Sequence, residues 1–180
     1  GSPFLLRLLL QWKQEGVGRF ILAAHYLAEQ FRAFAADHSA VLGDVAVIAE
    51  NKPLGTGGGI RHAALQATSQ TLLVANGDSY VSQPLGQLLE EHERHQTNFT
   101  MVAVRAKNVL GGAKKKGTLK IGPHDELIGF STKETATKGW INAGLYALAR
   151  HEAWSWPQEA CSLENDILTS ANHPRTFVLK

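Results

Sequence analysis

PLGTGGGIRHA (Pro53–Ala63) and LLVANGD (Leu72–Asp78) are a glycine-rich helix start and an apolar strand that ends in a lone carboxylate. A backbone with few Cβ atoms lies flat against a ligand, and N–H groups at a helix start attract phosphate. A carboxylate just past the end of a buried strand sits where an open α/β sheet places its ligand chemistry. Together the two stretches point to a site for a nucleotide and a metal ion. Asp78 is the candidate metal ligand, because Mg2+ takes hard oxygen ligands and often only one or two carboxylates. An Asn-Gly-Asp turn with Asp78 as a helix cap accounts for the same residues equally well. The dinucleotide fingerprint G-x-G-x-x-G fails, since the third glycine, counted from Gly55 and Gly57, falls on Ile60.

Outward from this core, strand and helix alternate. Ser2-Pro3 opens a helix to about Glu15, with Ser2 as cap and Pro3 in the first turn; Phe4, Leu5, Leu8, Leu9 and Trp12 share one face. Phe20–Ala24 and Val45–Ala49 are short apolar runs between turn signals, the pattern of buried strands. The spacing of Leu27, Phe31 and Phe34 predicts a helix over Tyr26–Ala36. Glycines 57–59 open a helix to about Ala67, and Leu72–Ala75 is the next strand. A helix follows Pro84 to about His95, then a strand at Phe99–Val104. The second half changes to short strands at Gly117–Ile121, Leu127–Phe130 and Trp140–Leu148. Ser162 caps a short helix with Glu164 and Asp166 in its first turn, read as structural carboxylates, and Thr176–Leu179 is a last strand. The alternation predicts a doubly wound α/β domain: a mostly parallel sheet, helices on both faces, and β-rich insertions in the second half.

The 180 residues suit one domain with a single core, and 44% hydrophobic with 19% charged residues is ordinary composition for a soluble one. A net charge of +2 without a basic stripe argues against a nucleic-acid partner. Lys114-Lys115-Lys116 reads as a solvated loop, or as a flap over a phosphate. No apolar run approaches the roughly 20 residues that cross a bilayer, so no membrane partner is expected. A single cysteine, Cys161, rules out an internal disulfide and suits a cytoplasmic location; without a basic neighbour close in sequence it is no candidate nucleophile. His92 and His95 lack a nearby third ligand and read as a solvated helix face rather than a zinc site.

GSPFLLRLLLQW (1–12), ENKPLGTGGGIR (50–61), LLVANGD, LGQLLEEHERH (85–95), GFSTK (129–133), GWINAGLYAL (139–148) and SLENDIL (162–168) follow one another in an order that resembles the sugar-1-phosphate nucleotidyltransferases, and among them the heptose 1-phosphate guanylyltransferases. The resemblance covers nearly the whole chain. It implies a Rossmann-like fold of the nucleotide-diphospho-sugar transferase type, with a β-rich sugar-binding portion. The implied reaction joins a sugar 1-phosphate, with D-glycero-D-manno-heptose 1-phosphate first in line, to GTP for surface polysaccharide synthesis; Mg2+ is the implied cofactor. A hexose 1-phosphate of mannose or glucose type is the alternative substrate, and a non-catalytic regulatory subunit the alternative role. A glycosyltransferase would carry Asp-x-Asp, where this chain has Asp78-Ser79-Tyr80. Whether the protein is a homo-oligomer is left open. The family pattern also implies an initial strand with a glycine-rich loop, and a later Asp-x-Gly segment with a second metal ligand. Neither falls within these residues, so the chain is expected to lack its true start and end.

The resemblance assigns roles residue by residue. Glu50, Pro53, Leu54, Gly55, Thr56, Gly57, Asn76 and Gly77 are expected at the nucleotide. Asp78 and Lys133 are expected to be catalytic, Asp78 on the metal and Lys133 on the sugar phosphate as a compact charge. Asn142, Gly144 and Thr132 are expected at the sugar; Thr132 stands where the family has Glu, which weakens its assignment. Glu50 carries a specificity argument. A carboxylate offers only acceptors, guanine presents two adjacent donors, and uracil presents one donor between two acceptors. Glu50 therefore favours GTP, unless it is simply an exposed strand-end residue.

Overall fold

The computed structural model describes residues 2–108, 117–131, 139–170 and 173–180. Helix α1 (Phe4–Gln14) starts at Pro3, whose carbonyl accepts from Arg7; no side chain caps it, so Ser2 does not play the expected role. Its Leu9 packs with Phe20 and Leu42. β1 (Arg19–Ala24), α2 (Ala28–Asp37), the one-turn α3 (Ser39–Leu42) and β2 (Asp44–Ala49) follow. α2 begins later than its apolar spacing suggests, because Leu27 is left-handed (φ 59°) at its N-cap. β1 and β2 pair in parallel from Arg19↔Asp44 to Ala24↔Ala49.

α4 (Gly55–Gln66) leads into β3 (Thr71–Ala75), and α5 (Leu85–Arg94) into β4 (Phe99–Arg105). β5 (Thr118–Ile121) and β6 (Leu127–Ser131) form a hairpin. β7 (Trp140–Ala149) is followed by α6 (Arg150–Ser155), a π-helical turn at Leu163–Ile167 and β8 (Thr176–Leu179). Among the described residues, β3, β4, β5, β6, β7 and β8 make one sheet, and β1 with β2 makes another.

The larger sheet is mixed, which corrects the expectation of a mostly parallel one. β4 and β8 are parallel, but β7 runs antiparallel to β3, β4 and β5. Eight of the ten β7 residues are buried, so the strand reads as a continuous apolar run. That is also how a parallel strand reads, and strand direction leaves no mark on composition.

The faces of β7 show the double winding. Tyr146 and Leu148 pack with Ala64 of α4, whereas Leu145 and Ala147 pack with Leu85 and Leu88 of α5. Among the described residues no helix is long and apolar enough to cross a membrane.

His92 corrects the reading of its helix as a solvated face. It is 5% exposed, and its Nδ1 lies 2.9 Å from Thr100 Oγ1. His95 stacks on Phe177 at 3.6 Å between ring centroids. Desolvation by burial holds the His92 pKa below its ordinary value of 6.5, with the Glu93 charge opposing. Below pH 6.5 the unfolded chain therefore takes up a proton that the folded chain resists, and stability falls with pH until the folded group also titrates. Urea midpoints measured from pH 7.5 to pH 5 are expected to fall through this window, with a slope from this group of at most about 1.4 kcal/mol per pH unit. His92→Gln is expected to remove that part of the slope.

Candidate active site

Helix α4 carries four glycines in its first five residues, each costing about 1 kcal/mol relative to alanine in a helix interior. Contact with another loop is what they gain. Gly57 and Gly58 N–H both donate to the Cys161 carbonyl, at 2.9 and 3.2 Å, and Cys161 N–H donates to the Leu54 carbonyl at 2.8 Å. At Gly55 (φ +71°) a Cβ would lie 2.5 Å from the same Cys161 oxygen. A Cβ at Gly57 would lie 2.8 Å from Ile167 Cδ1. The side chains complete the interlock: Leu163 N–H donates to Thr56 Oγ1 (2.8 Å), which donates to Glu164 Oε2 (2.9 Å).

This revises the reading of the helix start as a phosphate site at two of its donors. The Gly57 and Gly58 N–H groups satisfy the Cys161 carbonyl, so they do not face a ligand. Burial pushes the Cys161 thiol up, the Asp166 charge adds to this and Arg61 opposes it; a thiol so held is a poor nucleophile.

Glu50 follows β2 and is fixed from several sides. Its N–H donates to the Ala24 carbonyl at 2.9 Å, and its own carbonyl accepts from His25 Nδ1, also at 2.9 Å. Its Oε2 accepts from Leu54 N–H at 3.0 Å, and Oε1 lies 2.8 Å from where a Gly59 Cβ would stand. Glu50 is thus a half-buried, oriented carboxylate. β3 ends in Asn76-Gly77-Asp78, where exposed Asp78 accepts from Ser79 Oγ at 3.1 Å through Oδ1.

A cavity of about 1600 Å³ joins these strand ends. Of the expected site residues, Glu50, Pro53, Gly55, Thr56, Asn76, Gly77 and Asp78 line it. Leu54, Gly57, Asn142 and Gly144 do not line it; they stand behind its wall. Asn142 Nδ2 donates to Tyr146 Oη (2.7 Å), its Oδ1 accepts from Gly144 N–H (2.9 Å), and the Gly144 carbonyl accepts from Asn76 N–H (3.0 Å). Through Asn76 and Tyr146, both at the wall, this buried chain reaches the cavity. Burial raises the Tyr146 pKa, the Asn142 hydrogen bond opposes this and the Glu164 charge adds to it, so the phenol stays protonated. Thr132, Lys133 and Lys114-Lys115-Lys116 lie outside the described residues.

Among the described residues, no group of three or more His, Cys, Asp or Glu is placed to hold a metal ion. A lone cavity-facing Asp78 does not cage a cation. It fits one shared with phosphate oxygens and water, which is how Mg2+ binds in nucleotide sites.

His25 and Glu164 are among the cavity residues that were not anticipated. His25 follows β1 and lines the wall, as does Glu164. Glu164 was read as a helix-turn carboxylate, and only its place in the SLENDIL segment hinted at more. Asp166 does hold the turn structurally, accepting from Ser162 N–H at 2.7 Å.

A model of the nucleotidyl transferase family matches residues 3–153. The chain is 32% identical over 93% of its length to a mannose-1-phosphate guanylyltransferase of Mycobacterium tuberculosis, of which it covers 46%. It is 26% identical over 93% of its length to a D-glycero-alpha-D-manno-heptose 1-phosphate guanylyltransferase of Aneurinibacillus thermoaerophilus, of which it covers 70%. The crystal structure of HddC from Yersinia pseudotuberculosis superposes with a TM-score of 0.85 at 27% identity, covering 99% of this chain and 76% of that one. The same protein complexed with GMP-PN gives 0.83 at 28% identity, over 100% of this chain and 78% of that one. The chain thus spans about half the length of the mannose-type relative and about two thirds of the heptose-type one.

Gly144 tests the buried support. It has φ +76°, and a Cβ there would lie 2.5 Å from Asn76 Nδ2. Gly144→Ala is expected to cost about 1–3 kcal/mol in urea denaturation. Gly77→Ala, whose Cβ would meet nothing within 4 Å, is expected to stay within about 0.5 kcal/mol of wild type.

Proposed function

This chain belongs to the nucleotidyl transferase family, and from that premise we propose that its cleft joins a sugar 1-phosphate to GTP, giving a GDP-sugar and pyrophosphate. The observation that carries the reading is the convergence of Glu50, Thr56 and Asp78 on one cavity at the ends of β2 and β3. Both curated relatives described above are named guanylyltransferases, which supports the choice of nucleotide.

The sugar phosphate is ionised at neutral pH, its second pKa being about 6, so its oxygen attacks the α-phosphorus without a general base. The bond to the pyrophosphate oxygen breaks in line as the new P–O bond forms. Catalysis is then positioning and charge neutralisation. Enzymes of this family generally use a divalent metal ion; Mg2+, when bound, would neutralise charge at the α-phosphate. Asp78 would hold it. Glu50, turned by Leu54 N–H and the His25 contact, would accept from the two donors on the guanine edge. Thr56, fixed by Leu163 and Glu164, would shape the floor under the nucleoside. Lys133 would meet the incoming phosphate. Asn142 and Gly144 would act through Asn76 and Tyr146 to set the sugar side of the wall. Use of a nucleoside triphosphate suits a cytoplasmic enzyme.

For the sugar, D-glycero-D-manno-heptose 1-phosphate is the first choice, supported by the name of the Aneurinibacillus thermoaerophilus relative, matched over 93% of this chain. Mannose 1-phosphate is the second, because the mannose-type relative shows the higher identity, 32% against 26%. The two sugars share the manno ring configuration.

Pyrophosphate release measured with GTP or UTP against both sugar phosphates tests this. GTP with a manno-configured sugar phosphate is expected to turn over, and Asp78→Ala to lose about 100-fold or more in kcat/KM. Glu50→Gln is expected to narrow the GTP-to-UTP ratio by about tenfold to hundredfold, the worth of one bidentate contact to guanine. Undiminished activity in Asp78→Ala would contradict the reading, and an unchanged ratio in Glu50→Gln would contradict the role given to that residue.

A further inference from the structure

Among the described residues four carboxylates line the cavity: Glu15, Glu50, Asp78 and Glu164. Their oxygens are not equally engaged. Glu15 is committed on both, accepting from Gln11 Nε2 at 3.3 Å and from Leu85 N–H at 2.7 Å. Glu50 and Asp78 each accept on one oxygen, from Leu54 N–H and Ser79 Oγ, and leave the other open. The proposed function uses those two open oxygens, one for guanine and one for the cation. Glu164 shows the same division. Its Oε2 accepts from Thr56 Oγ1 at 2.9 Å and from Ser162 Oγ at 3.3 Å, while no donor among the described residues reaches Oε1. A half-buried carboxylate with one oxygen free of donors leaves acceptor capacity unused at the cavity wall.

The side chain is held in place. The Thr56 hydroxyl has a single proton, which goes to Glu164, and it accepts Leu163 N–H at 2.8 Å. It has no proton left for a ligand. Ser162 Oγ is anchored in the same way, accepting Asn165 N–H at 3.1 Å. Two hydroxyls fixed to the backbone thus hold Oε2, and this sets the orientation of Oε1. Glu164 also belongs to the π-helical turn Leu163–Ile167, and single π turns are frequent at functional sites.

Its place in the cavity follows from Tyr146. Burial raises the phenol's pKa and the nearby Glu164 charge adds to this, while Asn142 Nδ2 donates to the same Oη at 2.7 Å. Glu164 therefore stands on the Asn142–Tyr146 side of the wall, the side that the proposed function gives to the sugar. Chemistry narrows the ligand. A carboxylate repels phosphate, and among the described residues no group of His, Cys, Asp or Glu gathers to hold a metal ion. The base and the cation already have Glu50 and Asp78. What the two substrates still offer to an acceptor-only group is a hydroxyl.

We propose that Glu164 is a specificity-determining residue for the sugar: its Oε1 accepts a hydrogen bond from one hydroxyl of the bound sugar 1-phosphate, and Thr56 is the positioning residue that aims it. The inference rests on the sugar-1-phosphate reading given above. A hydrogen bond to a charged acceptor is short and directional, so the carboxylate reads the position of that hydroxyl on the sugar.

Glu164→Gln keeps the shape of the side chain. Its amide oxygen must face the Thr56 and Ser162 protons, so its NH2 takes the place of Oε1 and an acceptor becomes a donor. The experiment measures kcat/KM for pyrophosphate release with GTP and the manno-configured sugar 1-phosphate that the protein turns over fastest, then with analogues that each lack one hydroxyl. In wild type at least one analogue is expected to lose about tenfold to hundredfold, the worth of a hydrogen bond to a charged group. Glu164→Gln is expected to lower the parent compound by that factor and to change this analogue by no more than about twofold. Thr56→Val is expected to shrink the same penalty, and Thr56→Ser to restore it. The activities of 2′-deoxy-GTP and 3′-deoxy-GTP relative to GTP are expected to be the same in wild type and in Glu164→Gln. Urea denaturation checks folding; if Glu164→Gln does not fold, the Thr56→Val and Thr56→Ser pair carries the test. The inference is overturned if Glu164→Gln lowers the parent and every analogue by one common factor, as a purely structural role would, or if it changes none of them. Coupling to the ribose analogues instead would assign Glu164 to the nucleotide and overturn it too. Wild-type protein without turnover would overturn the proposed function and this inference with it, whereas turnover without coupling overturns this inference alone.

Discussion

One carbonyl organises the site. Cys161 O accepts the first-turn N–H groups of Gly57 and Gly58, and it does so at a distance that a Cβ at Gly55 would forbid. This contact seats α4 on the 161–164 turn and makes a glycine-rich segment helical in spite of its propensity. It also takes two of the four helix-start donors. Polar side chains and strand ends line the cavity beside it: Glu50, Thr56, Asn76 and Asp78. Thr56 shows how closely the two loops are coupled, since its hydroxyl accepts from Leu163 and donates to Glu164 at once.

The division of labour follows from this. At the strand ends, short turns hold carboxylates at the cavity: Glu50 is held by the loop to Leu54, and Asp78 by the turn after β3. Behind them a second layer, Asn142, Gly144 and Tyr146, is buried and hydrogen-bonded and reaches the ligand space only through Asn76 and the Tyr146 ring. A carboxylate with a single fixed orientation discriminates bases better than a mobile one. A lone exposed aspartate binds a cation only when phosphates complete its shell. On the proposed reading, selectivity and metal recruitment are separate tasks set at the ends of β2 and β3.

The fold class was legible because alternating apolar runs and glycine or proline stops mark β1 through β4 and the helices between them. The places of Glu50 and Asp78 beside the cavity were legible for the same reason, as carboxylates at the ends of apolar runs. Strand direction at β7 was not, because burial on both faces erases the period-two signal that separates sheet types. The Cys161 contact was not legible either: a backbone carbonyl has no residue signature, and its partners lie more than a hundred positions away. Glu164 was hidden by a legitimate competing role, since acidic residues in a helical first turn need no further explanation. α6 was missed because RHEAWS is too short for a helical period to show. Leu27 gave no hint of its left-handed backbone, which in a γ-branched residue arises only from its surroundings.

The account centres on a guanosine nucleotide bridging Glu50 and Asp78, and a crystal structure of the protein with GTP and Mg2+ tests this most directly. The account predicts a cation about 2.1 Å from an Asp78 carboxylate oxygen and the guanine N1–H and N2–H edge about 2.9 Å from Glu50. A nucleotide whose base lies away from Glu50, or a cation held without Asp78, would contradict it.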